Sequence, residues 1–98
     1  MTKQSVTRII QDNTEKIRSY GVARIGVFGS FARSAYNDMS DIDILIEFGK
    51  GQKNFDNYMD LKFLLEKLFR RKVDLVVKDT LKPGIKRRVI REVVYARL

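Results

Sequence analysis

Asp41 and Asp43 stand one residue apart in an alternating apolar run, and Asp74 lies in a second such run, KVDLVV over 72–77. Successive same-face residues of a strand are about 6.6 Å apart at the Cα. Asp41 and Asp43 can therefore flank a metal, and Asp74 can join them from the next strand. Three carboxylates on one face repel one another unless a cation lies between them. With no cysteine and no histidine in the chain, every ligand has to be oxygen, which specifies Mg²⁺ or Mn²⁺. Two such ions could activate an attacking hydroxyl and neutralise a leaving pyrophosphate. A calcium loop of the EF-hand kind does not fit, because Leu45 falls at its third ligand position and no glycine follows.

Gly29-Ser30 lies twelve positions before Asp41, directly after the apolar run VARIGVF. A strand that ends in such a turn and opens onto a helix offers backbone N–H groups and the Ser30 hydroxyl to a triphosphate, and Arg33 could add charge. Each half has a plainer reading by itself. Ser30 can be a helix N-cap, Asp41 a turn cap, and Asp43 and Asp74 solvent-facing strand residues. Asp is, however, depleted in strands, and here three fall on strands. Neither Walker A nor the dinucleotide fingerprint G-x-G-x-x-G is present.

The elements that must position these residues follow from apolar spacing. Val6, Ile9, Ile10, Ile17 and Tyr20 predict one helix over Ser5–Tyr20, capped by Gly21. Val22–Phe28 reads as a buried strand in which Gly26 permits close backbone approach. Phe31–Ala35 can form only a short helix, and Tyr36–Ser40 has turn chemistry. Asp41–Phe48 alternates strictly, with Ile42, Ile44, Ile46 and Phe48 on the core face and Asp41, Asp43, Leu45 and Glu47 on the accessible one.

Asn54 caps a helix striped by Phe55, Tyr58, Leu61, Leu64, Leu65 and Leu68, with the aromatics Phe55, Tyr58, Phe63 and Phe69 at the core or its edge. Lys72–Val77 is a strand. Pro83 starts a last helix whose buried face is Ile85, Val89, Ile90, Val93 and Val94. The expected fold is α/β, a small mixed sheet of about three to four strands with helices packed on it. The strands joined by the short loop should be antiparallel, and the crossover through the long helix parallel.

Composition bounds the rest. Ninety-eight residues make a single domain, 1–98, and a hydrophobic content of 44% with a single proline is globular. No apolar stretch reaches the ~20 residues of a membrane span, and MTKQSVTRII lacks the apolar core of a secretory signal. A cytoplasmic location without a membrane partner is expected. A net charge of +8 suits an anionic partner and is equally a solubility device. Lys86, Arg87, Arg88 and Arg91 on the last helix form a solvated face or dock an acidic partner or RNA.

VFGSFARSAYNDMSDIDILIEF, followed by VDLVV, resembles the DNA polymerase β-type nucleotidyltransferase superfamily. Its signature is a Gly-Ser turn, then Asp-x-Asp, then a third Asp on a strand. The length and the G-S-x-A-R pattern are most similar to its minimal nucleotidyltransferase (MNT) branch. The resemblance implies that Gly29 and Ser30 bind nucleotide phosphates with Arg33 beside them. It further implies that Asp41 and Asp43 hold two Mg²⁺ ions and that Asp74 is the third carboxylate, deprotonating or positioning the acceptor hydroxyl. All three carboxylates are retained, which argues against an inactive copy. Ser34 stands where the family usually has Gly, which touches the freedom of the loop backbone.

The implied reaction transfers a nucleoside monophosphate, AMP from ATP, with pyrophosphate leaving. Proteins of this kind are antitoxin partners of helical HEPN-domain toxins, and some adenylylate a toxin tyrosine. The alternative is a binding module that neutralises its partner by occlusion, without catalysis. Nucleic-acid binding through the basic last helix is a third reading, weakened by the lack of exposed aromatic stacking signals.

Overall fold

The computed structural model describes residues 1–37 and 39–98. Asp38, within the turn expected over Tyr36–Ser40, lies outside the described residues.

The chain runs α1 Lys3–Asp12, α2 Thr14–Ser19, β1 Val22–Phe28, α3 Gly29–Ala32, β2 Ile42–Phe48, α4 Phe55–Phe69, β3 Val73–Val77, α5 Pro83–Glu92 and β4 Val94–Ala96, with a 3₁₀ turn at Lys78–Thr80. Among the described residues no helix is long and apolar enough to cross a membrane. The strands form one mixed sheet in the order β3-β2-β1-β4. β1 pairs antiparallel with β2, β2 parallel with β3, and β4 antiparallel with the far edge of β1. The α/β architecture and the sense of the first two pairings match expectation.

The expected first helix is divided. Thr2 and Ser5 cap α1 reciprocally, Ser5 N donating to Thr2 Oγ1 at 3.1 Å and Thr2 N to Ser5 Oγ at 2.7 Å. At the other end Asn13 Nδ2 donates to Ile9 O at 2.8 Å. An asparagine amide competing for backbone in this way favours a break, and Asn13 takes φ −120°, ψ 26° between the two helices.

One core cluster joins Val6, Ile10 and Ile17 of α1 and α2 to Ile42, Ile44 and Ile46 of β2 and to Leu61, Leu65 and Phe69 of α4. Each such side chain, fully buried, contributes roughly 1.5–3 kcal/mol. The line Leu61, Leu65, Phe69 repeats every four residues and defines the buried side of α4. Phe55 and Phe63 fall off that line and are 75% and 59% exposed, so they are not the core residues that helical spacing suggested.

The opposite face of the sheet is covered as well. Leu45, expected to be accessible, is fully buried. It pairs with Gly26 across β1 and β2 and so shares a face with it. A Cβ on Gly26 would come within 2.8 Å of Val93 Cγ2 and of Val94 O. The chain leaving α5 therefore lies directly on this face, and only a glycine at 26 allows it to come so close.

The same crossing explains the end of the chain. Val93 and Val94 were expected on the last helix, yet α5 stops at Glu92 and Val93 is extended. Val94–Ala96 pairs with the open edge of β1 through Val27↔Val94, Gly26↔Tyr95 and Ile25↔Ala96. Val89 is the buried residue of α5, while Ile85 and Ile90 are exposed.

Candidate active site

The site grows out of the C-terminal end of β1 and the N-terminal ends of β2 and β3. β1 ends at Phe28, which is paired with Asp43, and Asp43 in turn is paired with Asp74 of β3. Strand register thus sets the Gly-Ser turn and two of the three carboxylates side by side, with Asp43 in the middle.

Gly29 is in the left-handed region at φ +70°, and a Cβ there would lie 2.8 Å from Asp43 Cγ. Backbone conformation and space both demand glycine. The two halves of the motif are in direct contact in the fold, through residues fourteen positions apart in sequence.

Asp43 is half-buried, and its carboxyl is raised from an ordinary 3.8 to about 6. Burial is the largest cause. The negative charge of Asp74, a hydrogen bond with the Asp74 carboxyl and the charge of Asp41 add to it, and Arg33 opposes them. An acid pair desolvated and pressed together in this way is a site for a proton or a cation.

Asp41 precedes β2 and is exposed. Among the described residues no three acidic side chains are gathered closely enough to hold a metal ion. The structure brings Asp43 and Asp74 together and leaves Asp41 at the mouth of the site, as repulsion among three carboxylates favours. The all-oxygen donor set fits a hard divalent cation of the Mg²⁺ kind.

An open cleft of about 690 Å³ adjoins the acids, lined by Asp41, Asp74, Lys62, Glu66, Lys72 and their neighbours. Arg33 follows α3, its side chain 55% exposed and its Nη1 2.9 Å from Glu92 Oε2.

Two contributors were not singled out in the sequence. Arg71 Nη1 donates to Ser40 O at 3.0 Å and to Asn37 O at 3.2 Å, which ties the segment leading into Asp41 to the end of α4. Its guanidinium also lies 5.3 Å from the Phe31 ring centroid, and Phe31 stacks on Tyr36. No local pattern marks Arg71, since its partners are about thirty positions away. The other is Glu92, which accepts from the Gly29 N–H at 3.0 Å. Its signal was available: it is the only acid in α5, among four cations.

Ser34 has φ +57°, so the loop does require left-handed backbone where this chain departs from the usual glycine. That conformation costs an L-residue about 1–2 kcal/mol, partly offset by the greater unfolded-state entropy of glycine. Ser34→Gly is expected to raise stability by roughly 0.5 kcal/mol, read as a small rise in the thermal midpoint. A lower midpoint would show that the serine side chain makes up for the strain.

A mixed sheet with paired acids beside a glycine turn is the arrangement of an enzyme that handles nucleotides. Residues 6–96 match the family described as nucleotidyltransferase domain, and the chain belongs to that family. It is similar to the protein adenylyltransferase MntA of Thermococcus cleftensis, at 38% identity over 96 residues, 97% of this chain and 96% of the relative. A solved structure assigned to the minimal nucleotidyltransferases superposes with a TM-score of 0.83 at 30% identity, covering 96% of this chain and 95% of its own. The resemblance to the minimal branch is thereby borne out, and the protein is a nucleotidyltransferase.

The fold also recurs in the complex of tri-AMPylated Shewanella oneidensis HEPN toxin with MNT antitoxin. There the TM-score is 0.62 at 20% identity, over 91% of this chain and 70% of the other.

Proposed function

We propose that this nucleotidyltransferase transfers AMP from ATP to a hydroxyl of a partner protein, in a Mg²⁺-dependent reaction, and that the partner is a HEPN-type toxin. The observation that carries the reading is the contact chain from Gly29 through Asp43 to Asp74. It sets phosphate-binding and acid groups within one side chain of each other. The resemblance to MntA and to an antitoxin bound to its AMPylated toxin supports the choice of AMP and of the partner.

Asp41, Asp43 and Asp74 would hold the Mg²⁺ ions, which neutralise the phosphates and the leaving pyrophosphate. Gly29, Ser30 and Arg33 receive the triphosphate and orient its α-phosphorus toward the acids. Asp74, on the cleft side of the acid pair, takes or aligns the proton of the acceptor hydroxyl. The acceptor oxygen bonds to the α-phosphorus as the bond to the β-phosphate bridging oxygen breaks. The exposed position of Asp41 leaves it free to turn inward as the third acid.

The test is transfer of α-labelled ATP to a candidate HEPN partner in the presence of Mg²⁺. Label is expected on the partner, and Asp41→Asn should abolish it. Unchanged labelling by that variant would overturn the mechanism. Undiminished neutralisation of the partner by an unlabelling variant would instead favour occlusion.

A further inference from the structure

Glu92 has one carboxylate and two partners, and both belong to the turn read above as the phosphate site. Oε1 accepts from the Gly29 N–H at 3.0 Å, and Oε2 from Arg33 Nη1 at 2.9 Å. The partners lie 63 and 59 positions away, and α5 brings Glu92 to them at its last turn. The Glu92 side chain is only 19% exposed, whereas Arg33 is 55% exposed and would otherwise sample many rotamers.

Partial burial pushes the Glu92 carboxyl up, but the Arg33 hydrogen bond, the Gly29 N–H and the charges of Arg33 and Arg88 outweigh it. The group sits below its ordinary value and is ionised at neutral pH. A guanidinium has five N–H donors. Glu92 draws on Nη1, and the charge of Arg33 is still felt at Asp43.

We propose that Glu92 is a positioning residue for nucleotide binding, fixing the Arg33 guanidinium against the Gly29 turn so that its remaining donors meet the triphosphate. The proposal rests on the reading of Gly29, Ser30 and Arg33 as the phosphate-binding groups. Two rival roles are open to such a carboxylate. It could compete with phosphate for the same donors, or it could merely tie α5 to the sheet.

Glu92→Gln separates these roles. The carboxamide oxygen still accepts from the Gly29 N–H, but the charge that holds Arg33 is gone. Binding of the non-hydrolysable analogue AMP-PNP with Mg²⁺ is measured by calorimetry for wild type, Glu92→Gln, Arg33→Ala and the double variant. Affinity is expected to fall about tenfold in Glu92→Gln, as for loss of one well-aligned charge-assisted contact. The double variant should bind no more weakly than Arg33→Ala alone, because Glu92 acts through Arg33.

Should Glu92→Gln fail to melt cooperatively, Glu92→Asp keeps the charge on a side chain one methylene shorter, and a loss of about threefold is expected. Tighter or unchanged binding in the Glu92 variant overturns the proposal, and so does the same loss with or without Arg33. A wild-type protein that binds no nucleotide overturns the phosphate reading itself, and this proposal with it. Normal wild-type binding with an indifferent Glu92 overturns the proposal alone.

Discussion

Asp43→Asn is expected to abolish transfer while making the protein more stable at neutral pH. Loss of a carboxylate proposed to hold Mg²⁺ should reduce the rate by roughly a thousandfold, equivalent to about 4 kcal/mol of barrier. The stability gain follows from the state of Asp43. Its folded-state value of about 6 lies above the ordinary 3.8, because burial and the charges of Asp74 and Asp41 disfavour ionisation.

A raised carboxyl favours the folded state while protonated, an advantage complete below about pH 3.8 and lost as the pH rises through about 6. Above that, the ionised Asp43 is a cost. Discounted for the solvent that reaches this half-buried group, the cost is on the order of 1 kcal/mol. Asparagine keeps a hydrogen bond to Asp74 without titrating. The variant should therefore melt roughly 5 °C higher than wild type at pH 7.5, and the difference should shrink toward pH 4. Mg²⁺ should raise the midpoint of the wild type and not that of the variant. A variant no more stable than wild type at pH 7.5 would show that Asp43 carries no such strain.

That strain was half legible in the sequence. Alternation over 41–48 placed Asp43 opposite the isoleucines, and the spacing of the Gly-Ser turn, Asp-x-Asp and Asp74 indicated a site. Asp43 and Asp74 stand side by side next to the turn, with Asp41 outside the pair, because register on a central strand follows from which face is apolar.

What alternation could not tell is whether the second face is covered. Leu45 is buried on the face that Val93 crosses at Gly26, an approach between positions 67 apart in the chain. β4 was illegible for the same reason. Three residues following a helix carry no period of their own, and the free edge of β1 decides their conformation. The anchoring of the loop by Arg71 is likewise settled by partners that local patterns do not contain.

Gly29→Ala should be the most damaging single-methyl change in the molecule. Two costs add. An L-residue at φ +70° loses about 1–2 kcal/mol, and a Cβ pressed against the Asp43 carboxyl adds another 1–3 kcal/mol of overpacking. A domain of this size has on the order of 5–15 kcal/mol of stability in all, so a loss of roughly 3 kcal/mol should lower the thermal midpoint by more than 10 °C.

The steric part has its own signature. In an Asp43→Ala background the obstructing carboxyl is gone, and the cost of Gly29→Ala should fall to about 1–2 kcal/mol, the backbone part alone. A double-variant cycle read by chemical denaturation measures that difference. If the two substitutions proved additive, the turn and the acid would not be in contact.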